Sequence, residues 1–137
     1  MFYCELLSGI WIGDIDILSN KKFIEDNDIT ILLNCTQLFE FPDIDTLRKI
    51  RLPFSPIQSN ENIMLLKKNY HKIVDFIHES IDTNNILICC YDGKSISAFI
   101  IALYILKYST IDRSSIYNIL LSKQSDLSLW CDLELFN

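Results

Sequence analysis

Glycine and proline are scarce: three of each in 137 residues. That excludes a collagenous, linker-like or low-complexity chain and leaves a globular one. Arginine is equally scarce, with Arg48, Arg51 and Arg113 the whole supply. No basic cluster exceeds the pairs Lys21-Lys22 and Lys67-Lys68, which read as solvated helix faces. Twelve Lys+Arg stand against 18 Asp+Glu, a formal net charge of -6. The acids crowd Asp14 to Asp28 and Glu40 to Asp45. Such a surface repels nucleic acid and anionic lipid, so neither is an expected partner. His71 and His78 are the only histidines and read as surface residues. With no His cluster and no Cys-x-x-Cys pair, no metal is expected, nor any other cofactor. The apolar run Ala98 to Leu106 is too short to span a bilayer. The first residues lack the basic region and apolar core of an export signal. The five cysteines are odd in number, and Cys35, Cys89 and Cys90 lie in apolar strand-like runs. They read as free thiols in a reducing, cytoplasmic compartment.

What is present is enough apolar material for one full core. Half the residues are hydrophobic, no repeat is visible, and residues 1–137 read as a single domain. Gly9–Gly13 reads as a short strand, followed by a helix over Ile17–Glu25 that Asp14 or Asp16 could cap. Ile29–Cys35 is apolar on both faces, as a strand covered on both sides would be. Thr36–Thr46 reads as a loop and Lys49–Phe54 as a strand. Asn60–Ile81 carries a stripe of Ile63, Leu66, Tyr70, Ile73, Ile77 and Ile81 at helical spacing. Asn85–Cys90 is a second buried strand. Helices are expected over Ser97–Lys107, over Asp112–Lys123 with Asp112 as cap, and near Asp126–Phe136. Strands alternating with helices imply an α/β layer fold whose central, mostly parallel sheet has about five strands.

The chemistry concentrates in Ile86-Leu87-Ile88-Cys89-Cys90-Tyr91-Asp92-Gly93-Lys94-Ser95-Ile96-Ser97. A β-branched strand runs into Cys90, a loop turns about Gly93, and an apolar helix follows. That is how a chain builds an anion cradle: backbone N–H groups turn inward and a helix N-terminus adds its positive dipole end. A thiolate at its mouth could attack phosphorus.

These segments resemble the dual-specificity, cysteine-dependent protein phosphatases. Ser8-Gly9-Ile10-Trp11-Ile12-Gly13-Asp14 is similar to the family's opening strand and turn. Ile29 to Thr36 resembles its strand ending in Leu-Asn-x-Thr, and Leu52-Pro53-Phe54-Ser55 the approach to its acid loop. Ile86 to Ile101 resembles its signature strand, loop and helix. Against the signature His-Cys-x-x-Gly-x-x-Arg-Ser, Cys90 falls on the nucleophile, Gly93 on the loop glycine and Ser97 on the serine.

Three departures set the expected function. Ile96 stands where the family has the Arg that grips the phosphate; losing such a donor typically costs about 3 kcal/mol or more. Pro56 stands near the family's general-acid Asp, with Glu61 and Asp45 off register. Cys89 replaces the His before the nucleophile, which implies a Cys90 thiol near its ordinary pKa of roughly 8.5. The resemblance therefore implies a pseudophosphatase: Cys90, Gly93, Ile96 and Ser97 form a vestigial loop, and Cys89 and Pro56 are degenerate positions. Restoring Ile96→Arg alone is expected to return oxyanion binding. The alternative is a weak or atypical phosphatase using Cys90. A rhodanese-like sulfur carrier also opens its loop with Cys-x-x-Gly, but the Leu-Asn-x-Thr strand and long helix fit it poorly. Vicinal Cys89-Cys90 could serve redox chemistry, against their packing as small hydrophobes. The implied partner is a protein, bound around Ile96, Tyr91 and the Phe39/Phe41 loop, with phosphopeptides bound weakly or not at all. Viral relatives in the family can dimerise, so a homodimer is also implied. The wealth of Ile, Asn and Lys, residues with AT-rich codons, suggests a large-DNA-virus (poxvirus-like) or AT-rich protist origin. A viral member would act in host cytoplasm on host signalling.

Overall fold

The computed structural model describes residues 1–136. Its sheet has five strands: β1 (Tyr3–Leu7), β2 (Ile10–Gly13), β3 (Ile29–Asn34), β4 (Arg48–Arg51) and β5 (Asn85–Cys89), in the order β1-β2-β5-β3-β4. Only the β1–β2 pair is antiparallel; β2–β5, β5–β3 and β3–β4 are parallel. This is the expected mostly parallel α/β sheet. The central strand β5 is apolar and buried from Ile86 to Cys89 because that stretch is covered on both faces. Its alternation sends Ile86 and Ile88 into one core and Leu87 and Cys89 into the other.

The larger core lies under α2 (Asn60–Ser80), α3 (Ile96–Tyr108) and α4 (Ile116–Lys123); the smaller lies under α1 (Lys21–Asp26) and the 3-10 turn Ile15–Ser19. α2 starts at Ser59, whose side chain accepts the Asn62 amide. It buries Leu66, Tyr70, Ile73, Val74 and Ile77 on one stripe. α3 has little amphipathicity, and Ala98–Leu103 are all buried, as suits a helix enclosed by neighbours. Among the described residues no helix is long and apolar enough to cross a membrane.

Several elements differ from the sequence expectation. β1 was not foreseen: as an edge strand with Tyr3 and Glu5 exposed, it carries no run of buried residues. The helix expected over Ile17–Glu25 is two pieces, because two caps compete. Asp14 accepts the Asp16 amide to start the 3-10 turn, and Asn20 accepts the Phe23 amide to start α1. Asp112 accepts from the Ser114 hydroxyl rather than capping backbone, so Arg113–Ser115 is a 3-10 turn and α4 begins at Ile116. Of the helix expected near Asp126–Phe136 only the 3-10 turn Leu133–Leu135 forms. The Arg113 guanidinium donates to the Leu133 and Phe136 carbonyls at 3.1 and 2.9 Å, and Phe136 seats edge-on against Phe99 and Tyr70.

Candidate functional site

β5 hands the chain to the loop Cys90–Ser95, and α3 picks it up at Ile96. The turn depends on Gly93, at φ +71°, in the left-handed region that other residues enter at a cost of about 1–2 kcal/mol. There is also no room for a side chain: a Cβ would lie 2.6 Å from the Asp14 nitrogen and the Gly13 carbonyl carbon. Both obstacles are backbone, so Gly93→Ala should destabilise the fold by about 2 kcal/mol or more. Urea denaturation checks this, and an unchanged midpoint would mean the loop rearranges freely.

Cys90 is 1% exposed. Its Sγ lies 3.3 Å from the Ser97 Oγ and 3.5 Å from the Asp92 Oδ1. Burial pushes its thiol above the ordinary value; hydrogen bonds with Ser97 and the Ser95 backbone oppose this, and the Asp92 charge adds to the rise. The thiol is thus a weaker acid than the near-ordinary one expected from sequence, because the sulfur is buried and lies beside a carboxylate. Cys89, one residue earlier, faces the smaller core, its Sγ 3.3 Å from the Asp14 carbonyl oxygen. Burial, then Cys90 and Asp14, holds its thiol far above the ordinary range. Pleating sends the two vicinal thiols to opposite faces, and both are free. They pack as small hydrophobes.

Ile96 is 4% exposed and belongs to the larger core. Each arginine is engaged elsewhere. Arg51 donates to the Thr36 and Phe39 carbonyls, Arg113 to Leu133 and Phe136, and Arg48 lies 4.7 Å over the Phe76 ring. Lys94 does not line the cleft; its Nζ lies 5.0 Å from the Phe2 ring centroid. The Cys90 mouth opens into a cleft of about 440 Å³ that Pro56, Gln58, Ile96 and Trp130 also line. Pro56 stands there with no proton to offer. Glu61 faces a separate groove with Met64 and Lys68, and Asp45 is exposed. Cys90, Ile96 and Pro56 therefore meet in one cleft, with Ser97 behind the thiol, Gly93 turning the loop, and Cys89 outside.

Three residues organise the cleft: Tyr91, expected there only as part of a docking surface, and Asn62 and Asp92, to which the sequence reading gave no role. Tyr91 Oη donates to the Phe54 carbonyl at 2.7 Å and accepts the Gln37 amide at 3.2 Å, tying the loop to both neighbouring loops. Asn62 is buried; it accepts the Ser55 amide and donates to the Ser55 and Ile57 carbonyls, fixing the segment that carries Pro56. The signal in the sequence is an Asn three residues after Ser59, at the start of the helical stripe. Asp92 is the third. Its Oδ1 accepts from the Lys94 amide at 2.9 Å, the Ser95 amide at 3.1 Å and the Ser95 hydroxyl at 2.9 Å. Burial alone would raise this carboxyl, yet those donors hold it below its ordinary value. A folded value below the unfolded one adds stability that is present above about pH 4 and lost as pH falls through the lowered value. Asp92→Asn should therefore flatten the acid limb of the stability curve, measured by urea titration at several pH values; an unchanged limb would contradict it.

Around the cleft, the Leu33-Asn34-Cys35-Thr36 stretch satisfies its own buried polar groups: Asn34 Oδ1 accepts the Thr36 amide and hydroxyl. The docking surface expected around Ile96, Tyr91 and the Phe39/Phe41 loop is reduced. Ile96 is core, the Tyr91 hydroxyl is hydrogen-bonded, and Arg51 covers the Phe41 ring at 5.0 Å. Of those four, Phe39 alone is exposed, beside exposed Leu38.

The family profile described as Dual specificity phosphatase, catalytic domain, matches residues 10–131, and the chain belongs to that family. A mouse putative dual specificity phosphatase, solved with zinc tungstate, superposes with a TM-score of 0.79 at 14% identity, over 93% of this chain and 78% of that one. Human tyrosine phosphatase-like serine/threonine/tyrosine-interacting protein gives 0.77 at 16% identity, over 91% and 85%. Human DUSP28 gives 0.78 at 10% identity, over 93% and 84%. At such identities these structures speak for the fold alone. No relative matches among curated protein sequences.

Proposed function

We propose that this chain is a pseudophosphatase, a dual-specificity phosphatase fold that binds protein rather than hydrolysing phosphate esters. The observation that carries the reading is Ile96: the position facing the anion loop at the start of α3 holds a core isoleucine, and the chain's three arginines are engaged elsewhere. Without a guanidinium, the charge that spreads over the phosphoryl oxygens in the transition state has no bidentate partner. Pro56 in the acid segment and the raised Cys90 thiol support the same conclusion. Phosphopeptide binding is accordingly weak or absent. The partner is a protein, with a second copy of this chain as one candidate, met in the cytoplasm; in a viral member it would be a host signalling protein. The test is aryl phosphate hydrolysis by the unaltered protein beside Cys90→Ser, expected to show no difference.

One observation favours the alternative, a weak phosphatase using Cys90. The Cys90–Ser97 contact at 3.3 Å and the glycine turn at Gly93 keep the family's loop built. A hydrolysis rate lost on Cys90→Ser would establish that reading and remove the first.

A further inference from the structure

The Asp92 carboxylate has a placement that catalytic loss does not explain. Its Oδ1 lies 3.5 Å from the Cys90 Sγ and accepts both the Lys94 and Ser95 amides. Those amides belong to the turn before the α3 N-terminus, and in an anion cradle such N–H groups point at the bound oxyanion. An oxygen that is close to the nucleophile sulfur and accepts two loop amides occupies a substrate oxygen's place. The Ser95 hydroxyl adds a third donor at 2.9 Å. Among the described residues lining the cleft, Asp92 is the one carboxylate.

From this we infer that Asp92 is an internal anion: it fills the cradle of its own loop and closes it to phosphate and other oxyanions. The inference deepens the pseudophosphatase reading and rests on it for the identity of the loop. The Lys94 and Ser95 amides thereby have their acceptor within the chain. Ile96 can also be apolar without loss, because the protein's own carboxylate is neutralised by backbone donors and needs no guanidinium. An entering oxyanion would have to displace a hydrogen-bonded carboxylate and then share the site with a like charge. On this inference Ile96→Arg alone does not reopen the cradle, contrary to the expectation from sequence; a new guanidinium would meet Asp92 first and pair with it.

The test is tungstate binding by isothermal titration at pH 7 to four proteins: unaltered, Asp92→Ala, Ile96→Arg and the double variant, each checked for folding by circular dichroism. Asp92→Ala should bind at least tenfold more tightly than the unaltered protein. The double variant should bind at least a hundredfold more tightly than Ile96→Arg. Equal affinity of Ile96→Arg and the double variant would overturn the inference, because the carboxylate would then not stand in the anion's way. Should Asp92→Ala fail to fold, amide NMR of the unaltered protein decides. The Lys94 and Ser95 resonances should shift together as acid protonates Asp92 and stay put on adding tungstate at pH 7; a tungstate shift at these amides, or none with acid, overturns it. Aryl phosphate hydrolysis run in parallel separates the two ideas. Cys90-dependent turnover by the unaltered protein would remove the pseudophosphatase reading, whereas failure of Asp92→Ala to gain tungstate removes only the internal anion.

Discussion

Unaltered protein and Cys90→Ser should hydrolyse p-nitrophenyl phosphate at the same background rate, about a million-fold below a family site with its full catalytic set. On the proposed reading, three deficits give that figure: the missing guanidinium, the missing acid and the buried thiol. Replacing a bidentate guanidinium with Ile96 forfeits about 3 kcal/mol of transition-state stabilisation, a factor of at least roughly a hundred. Proline in the acid segment withholds a proton from the leaving group, worth roughly a hundred-fold to ten-thousand-fold. The third is the thiol. Burial lifts the Cys90 thiol above its ordinary value of roughly 8.5, so at most a few per cent is thiolate at pH 7. The sign of the pH dependence is a further check. Only the thiolate is nucleophilic, so any Cys90 chemistry would climb about tenfold per unit from pH 7 until the raised value is passed. A rate that depends on Cys90 and is flat across that range would mean the thiol is activated after all, and the proposal would fail.

The largest expected change in stability belongs to Phe99→Ala. Phe99 is fully buried in the first turn of α3, where its ring meets Trp130 at 5.3 Å, Phe136 at 5.2 Å and Tyr117 at 6.4 Å. Removing it deletes a large apolar side chain and leaves a cavity between α3 and the C-terminal segment, at a cost of about 3–5 kcal/mol. For a chain of this length total stability is about 7–20 kcal/mol, so a considerable share goes. The effect reaches the cleft as well, because Trp130 is both a neighbour of Phe99 and a wall of the cleft. In a Trp11→Phe background, where Trp130 is the remaining indole, Phe99→Ala should redden Trp130 emission under native conditions and lower the urea midpoint. A loss below about 1 kcal/mol with unshifted emission would show that the C-terminal segment is held by other contacts, and the arrangement described for the aromatic cluster would need revision.

Much of the fold is legible in the chain because the signals are strong and local. Ile29–Cys35 and Asn85–Cys90 are apolar on both faces, and such runs have few uses beyond inner strands of a covered sheet. The long α2 shows its stripe. Edge strand β1 and the C-terminal segment are not legible, for the converse reason. Tyr3–Leu7 exposes alternate residues to water, and the carbonyls after Trp130 find the distant Arg113 in place of helical partners. Split helices fail in the same way: Asp14 and Asn20 are both capable caps, and the pattern does not rank them.

At the site the division is a chemical one. By itself the sequence determines that residue 96 brings neither charge nor donor, that Pro56 has no proton to give, and that only three guanidiniums exist; no folding can add functional groups that the side chains lack. Tertiary structure alone decides where the groups present are spent. It places Arg51 and Arg113 on backbone carbonyls, buries Cys90 until its thiol weakens, and sets Cys89 behind the sheet. It also turns the Asp92 carboxylate inward onto the Lys94 and Ser95 amides. That turn depends on one side-chain rotamer and on the backbone path through Gly93, which lies against Gly13 and Asp14, some eighty residues away along the chain but in direct contact in the fold.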